Sequence, residues 1–394
     1  MATLNIDPDM PLSSNTVSVS IIDTTAGIKG VPTGEFFGPT ITGHQWLAVP
    51  VFSFLIQHSS PNAPTQNLLF DLGIRKDWKN LSPAVLAAID AIKWTPGARK
   101  SVSEILQDGG VDASSIDAVI CSHYHFDHIG DPSLFGAKTA LVVGPGFREN
   151  LVPGYPSNPN SPILESDYTG RELVELDFED NSKWKVVTIG PFRGIDYFRD
   201  GSFYLLDSPG HAIGHISALA RVTSSIKSSG TDLDSFVLVA GDAFHYAGEL
   251  RPSPHVPLPA TITPNPFEPL SPSGQHSTCP GAIFQSVLPG MDCCAPIYKP
   301  CGPWHHDADE GERTIQNLQQ LDAEPRVLIL AAHDESLLDV LDFFPAKLDG
   351  FAERGWVGQT RWRFLKDFAQ AVGRECQGVR RNSDWAPPPN GSDV

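Results

Sequence analysis

No stretch of the chain stays apolar over the roughly 20 residues that a membrane-spanning helix needs. The opening Met1-Ala-Thr-Leu-Asn-Ile-Asp-Pro-Asp-Met10 has neither a basic segment nor an apolar run, so no secretory signal is read there. The expectation is a soluble, cytoplasmic protein. Basic residues are in deficit: 28 Lys and Arg stand against 46 Asp and Glu, a formal charge of −18. That balance argues against nucleic acid or an anionic membrane surface as a partner and says nothing about a substrate. Cysteine is sparse and unevenly placed, at 121, 279, 293, 294, 301 and 376, which is no disulfide framework in a chain this long. No Cys-X₂₋₄-Cys pair is present either, so a zinc site built from Cys293-Cys294, Cys279 and Cys301 with His305-His306 is disfavoured. What the chain does have is apolar material: 41% hydrophobic residues over 394 positions supply the core of one large α/β unit with insertions.

The densest chemistry lies in Cys121-Ser-His-Tyr-His-Phe-Asp-His-Ile-Gly130. Three imidazoles and a carboxylate fall between His123 and His128. Buried without partners, such a group is costly; around a metal ion each member becomes a ligand. The preceding Ile116-Asp-Ala-Val-Ile-Cys121 reads as a short buried strand, so the cluster sits just past a strand's C-terminal end. Cys121 itself reads as a small buried hydrophobe.

Three later segments share that plan. A strand at 203–206 runs into Asp207-Ser-Pro-Gly-His211-Ala-Ile-Gly-His215, Phe236-Val-Leu-Val-Ala-Gly-Asp242 ends in a carboxylate, and Arg326-Val-Leu-Ile-Leu-Ala-Ala-His333 ends in a histidine. Strand C-termini of an open α/β sheet are the usual place for a site. Further strands are expected at 17–22, 46–56, 67–71, 140–144 and 184–189. Helices are expected at 82–92, with Ser82 as cap and Pro83 in the first turn, at 101–107, at about 308–321 and at 362–372. Residues 145–182 show no period and read as a substrate-side loop or a long surface connection. The segment 251–303 carries ten prolines between Pro252 and Pro289, which excludes regular helix or central strand, and reads as an insertion serving as lid or homodimer contact. The expected organisation is a lead-in at 1–16, one domain at 17–380 and a flexible tail at 381–394.

The His123-Tyr-His-Phe-Asp-His128 motif resembles the signature of the metallo-β-lactamase superfamily, and the order of the later Gly-His, Gly-Asp and His segments is similar to that family's. Leu68-Leu-Phe-Asp-Leu-Gly73 is similar to its early strand, with Asp71 as a residue supporting the ligands or simply capping a turn. The resemblance covers about residues 17–340 and implies a four-layer αβ/βα sandwich of the α/β class. It implies that His123, His125 and His211 hold one divalent ion, that Asp127, His128 and His333 hold a second, and that Asp242 bridges them. Zn²⁺ is favoured, with Fe or Mn open. It further implies hydrolysis by a metal-bridging hydroxide, with Asp127 passing a proton to the leaving group. One departure is Ala212, where the family usually has threonine; His215 reads as structural.

The expected activity is opening of a small lactone or lactam, with a lactonase-like motif and Tyr124, Phe126, Phe244 and Tyr246 as candidate pocket residues. A thioesterase of the same superfamily is the alternative. It lacks a basic cluster for a glutathione thioester, since only Arg380-Arg381 stands near the C-terminus. An iron-dependent redox member is a further alternative, and a binding protein on an inactive scaffold would be expected to have lost ligands that are all present here.

Overall fold

The computed structural model describes residues 10–60, 63–226 and 233–376. The tail at 381–394 and the first nine residues of the lead-in lie outside them. Among the described residues no helix is long and apolar enough to cross a membrane.

Two sheets carry the architecture. The first has seven strands in the spatial order Thr95–Ala98, Val17–Pro32, Trp46–Ser60, Ala63–Phe70, Ile116–Ile120, Ala140–Val143 and Leu173–Glu175. The second has six, in the order Val327–Leu330, Ser235–Val239, Ile216–Thr223, Phe203–Asp207, Phe192–Asp196 and Val186–Ile189. Alternation sorts the side chains. Val19, Ile21, Phe54, Phe70 and Ile120 of the first sheet meet Leu205, Ala218, Val237 and Leu330 of the second in one buried cluster. The opposite faces are covered by helices. Leu69, Val119 and Leu141 pack on Val102 and Leu106 of the helix Val102–Asp108. Leu219, Leu238 and Ile329 pack on Ile315, Leu318 and Leu321 of the helix Ala308–Asp322. The order helix, sheet, sheet, helix is the expected four-layer sandwich.

Capping chemistry sets the helix starts. Ser82 accepts from Val85 N–H ahead of Pro83–Ile92, and Ser101 and Glu104 form a reciprocal box at the start of Val102–Asp108. Strand bounds differ from expectation mainly in length: Val17–Pro32 and Trp46–Ser60 run on as a long antiparallel pair through register shifts after Asp23 and Ile28. The helix expected at 362–372 is instead a short helix Trp356–Arg361 followed by a 3₁₀ segment Arg363–Phe368. Its side chains Phe364, Leu365 and Phe368 fill a core shared with the proline-rich stretch, which overrides the α-helical period. Residues 251–303 contribute Ile262, Phe284, Ile297 and Tyr298 to that same core, so the stretch is built into the wall of the molecule.

Candidate metal centre

The histidine motif follows strand Ile116–Ile120 and enters a single helical turn, Phe126–Ile129. His123 Nε2, His125 Nδ1 and His211 Nε2 converge: the first and second lie 3.1 and 3.0 Å from the third. On the other side His128 Nε2 and His333 Nε2 lie 3.3 Å apart, and Asp127 Oδ2 stands 3.6 Å from His333 Nε2. Asp242 lies between the groups. Its Oδ2 is 3.2 Å from His128 Nε2 and 3.6 Å from His211 Nε2, and its Oδ1 is 3.2 Å from His333 Nε2. All seven residues named from the motif thus meet at one spot.

The backs of the rings are held. His128 Nδ1 is 2.8 Å from Asp71 Oδ2, and His333 Nδ1 is 2.8 Å from Pro50 O. Each contact takes the ring proton and leaves a lone pair on Nε2, turned inward. Asp71 also accepts from Ser122 N–H at 2.6 Å and from Ser122 Oγ–H at 2.8 Å, so it anchors the loop as well as the ring. His215 is fully used by the backbone: Nδ1 is 2.8 Å from Ser208 O, and Nε2 accepts from Asp242 N–H at 3.0 Å. It is a structural residue that seats Asp242. Gly241 has φ +56°, and a Cβ there would come 2.9 Å from His215 Nε2, so only glycine lets the strand turn at this point.

The electrostatics call for positive charge. Burial, reinforced by the neighbouring histidines, holds His123 and His211 well below the usual imidazole range, and burial takes His125 to about 4. These three are neutral donors at physiological pH. Burial opposes charge on His128 too, but Asp242, Asp71 and Asp127 outweigh it and raise its pKa well above the ordinary value. Burial likewise opposes ionisation of Asp242, yet His128 and His333 hold its carboxyl well below the usual range. A cluster of buried carboxylates that recruits protons onto its histidines is one that a cation suits. Asp242 Oδ1 and His211 Nδ1 are buried and make no hydrogen bond, although Oδ1 lies 3.2 Å from His333 Nε2. The donor set fits a pair of borderline divalent ions.

The spot forms the floor of a cavity of about 380 Å³. Its walls are apolar: Val49, Val85, Ile89, Trp94 and Trp304 line it, with Tyr124 and Phe126 from the motif. Two of the four aromatics expected there are elsewhere. Phe244 is 2% exposed and packs with Leu238 and Ile315 in the core behind the second sheet. Tyr246 donates to Phe364 O and Asp367 on the far side of its loop. Both follow Asp242 on a chain that turns into the core, whereas Trp94 and Trp304 come from distant segments with no local signal.

Residues 46–146 match the family model of the metallo-beta-lactamase superfamily. The gamma-lactamase FDB1 of Fusarium pseudograminearum is 41% identical over 93% of this chain and 87% of its own length. The chain belongs to the metallo-β-lactamase superfamily. Within it, the metallo-hydrolase mfmC of Annulohypoxylon moriforme is 39% identical over 92% of this chain and 90% of its own. A solved structure of B. thuringiensis AiiA, with N-decanoyl-L-homoserine at its active site, shares the fold with a TM-score of 0.52 at 14% identity, covering 84% of this chain and 99% of that one. The protein is a metallo-hydrolase of this superfamily, related to γ-lactamases.

Of three further residues in this region, His245 and Glu249 were not named from the sequence, and His305 entered only in the disfavoured cysteine and histidine zinc site. His245 lies 3.5 Å from Asp242 Oδ2 through its Nε2, Glu249 is 1% exposed beside it, and His305 packs its ring 5.3 Å from that of His245. The signal available was the i, i+4 spacing of His245 and Glu249 directly after the Gly-Asp pair.

Proposed function

We propose that this protein opens a small lactam ring bearing an apolar ring or arm, adding water across the amide bond to give an amino acid. The reading rests on one observation above the others: two convergent His/Asp groups sharing Asp242 lie at the floor of an apolar cavity. The γ-lactamase relative supports an amide over an ester, and a lactone, whose carbonyl is attacked in the same way, is the second reading because nothing in the apolar wall discriminates O from N as the leaving atom.

In this reading His123, His125 and His211 would hold one ion, Asp127, His128 and His333 would hold another, and Asp242 would serve both. The bound ions, most simply Zn²⁺, would supply Lewis acidity toward the carbonyl and a water acidic enough to ionise near neutral pH. The chain's own part is positioning and proton handling. The apolar walls orient the ring and exclude bulk water. Asp127, at the cavity surface with its side chain 12% exposed, is placed to take the proton released by the attacking water and pass it to the departing nitrogen. Asp71 and Pro50 fix the rings from behind.

The test is mass spectrometry of lactams, lactones and thioesters incubated with metal-loaded protein and with a chelated control. Ring-opened products heavier by one water, lost on chelation and reduced at least ~100-fold in His123→Ala, are the expected result. Cleavage of thioesters into two fragments, with every ring intact, would overturn it in favour of a thioesterase.

A further inference from the structure

We infer that His245, Glu249 and His305 form a third cation site beside the main centre. One ligand atom from each lies within 4.8 Å of the others. His305 Nε2 is 2.9 Å from Phe36 O, which fixes the ring proton on that nitrogen and leaves Nδ1 as a free lone pair. That Nδ1 is buried with no partner. His245 is 4% exposed, and neither of its ring nitrogens has a hydrogen-bond partner. Its Nδ1 is 4.0 Å from Glu249 Oε2, and its Nε2, facing Asp242, is placed to carry the proton.

Glu249 has a structural duty that uses only half of its carboxylate. Oε2 accepts from His245 N–H at 2.8 Å and Tyr246 N–H at 3.1 Å, capping the short turn Ala247–Leu250. Oε1 is buried and unpaired. An acid recruited for capping alone would expose its second oxygen to water. Here a ring nitrogen of each imidazole and the second oxygen of the carboxylate are buried and unpaired, and the three side chains bring one ligand atom each to within 4.8 Å of one another. Two nitrogens and one oxygen make the three-ligand set of a zinc-type ion that keeps a further position open. Burial pushes the Glu249 carboxyl up to about 8; a bound cation would displace that proton, and the carboxylate charge would then offset the repulsion from cations at the main centre.

The site has a structural consequence. His305 follows the proline-rich stretch, and the backbone around it is latched to the His211 loop, with His306 N–H donating to His211 O at 2.9 Å and Asp307 N–H to Gly210 O at 2.8 Å. An ion here would tie that stretch to the Asp242 loop.

The experiment is equilibrium dialysis of the full chain against Zn²⁺ with elemental analysis. Glu249→Gln is the first variant, since its amide oxygen still accepts from both backbone N–H groups; His305→Ala is the second. Wild type is expected to hold one equivalent more than either variant, and both variants to lose part of the zinc-dependent gain in Tm seen in wild type. Equal stoichiometry in wild type and both variants overturns the site. The difference carries the test, so it stands apart from the proposed function: a shortfall at the main centre would lower the total in all three proteins alike.

Discussion

Asp71→Asn isolates the support of the main centre from its ligands. Asp71 ends the strand Ala63–Phe70 with φ 60°, a conformation asparagine accepts readily, so the backbone gains no strain. The carboxylate accepts three hydrogen bonds, from Ser122 N–H, Ser122 Oγ–H and His128 Nδ1–H. An amide has one oxygen. With that oxygen on Ser122 N–H, the NH₂ faces two donors, and His128 must turn its lone pair toward the amide. Its proton then moves to Nε2, the nitrogen 3.2 Å from Asp242 and 3.3 Å from His333. With the amide flipped, Ser122 N–H is left buried against another donor. Either arrangement costs about 1–3 kcal/mol, which is a loss of roughly 10–100-fold in metal affinity. Competition with a chromophoric zinc chelator measures it, with exposed Asp90→Asn as control and circular dichroism to verify the fold. A folded Asp71→Asn that binds zinc within about threefold of wild type would refute the argument that Asp71 sets the His128 tautomer.

Val85→Trp, on the cavity wall, should raise KM about tenfold or more for ring substrates with a large apolar arm while leaving kcat for an unsubstituted ring nearly unchanged; equal KM changes for both would move the binding site elsewhere. Asp167 is buried with Oδ1 unpaired, and burial raises its pKa to about 7. A raised folded-state pKa means stability that is full below the unfolded value near 4 and is lost as pH rises toward 7, by a few kcal/mol at most. Asp167→Asn should therefore match wild type in denaturant melts at pH 4 and exceed it at pH 8; parallel curves at both pH values would show that Asp167 is not the source.

The sequence disclosed this centre because each ligand stands directly after a strand whose apolar run is plain: Ile116–Ile120 before His123, Ser235–Val239 before Asp242, Val327–Leu330 before His333. The sandwich was legible from the same strands through the family resemblance. Three things were not. Thr95–Ala98, Leu173–Glu175, Phe192–Asp196 and Ile216–Thr223 were not picked out as strands: the first two are only four and three residues long, glycine interrupts the third, and the adjoining Gly-His motif obscures the fourth. The proline-rich stretch reads locally as an insertion, lid or dimer contact, and its buried Ile262, Phe284, Ile297 and Tyr298 show that it is built into the wall. Trp94 and Trp304 reach the cavity from segments more than 200 residues apart, a meeting no local pattern encodes.

The departure at Ala212 shows what does hold the ligands in place. A threonine hydroxyl is missing there, yet His211 still meets His123 and His125. The reason lies in the main chain. Ile216 N–H donates to Ser122 O, Ala332 N–H to Gly241 O, and Phe52 N–H to Ala332 O, so the ligand loops of the two sheets are bonded to one another directly. Gly210, at φ +126°, lets the His211 loop lie against Gly311, where a Cβ would come 2.2 Å from the backbone nitrogen. Thr314 Oγ1 then donates to Pro209 O at 2.7 Å. With the loop fixed at Pro209, Gly210 and His211 by its neighbours, one side-chain hydroxyl at the next position is dispensable. The glycines are not, because a side chain at Gly210 or Gly241 would force apart the contacts that set the ligand spacing.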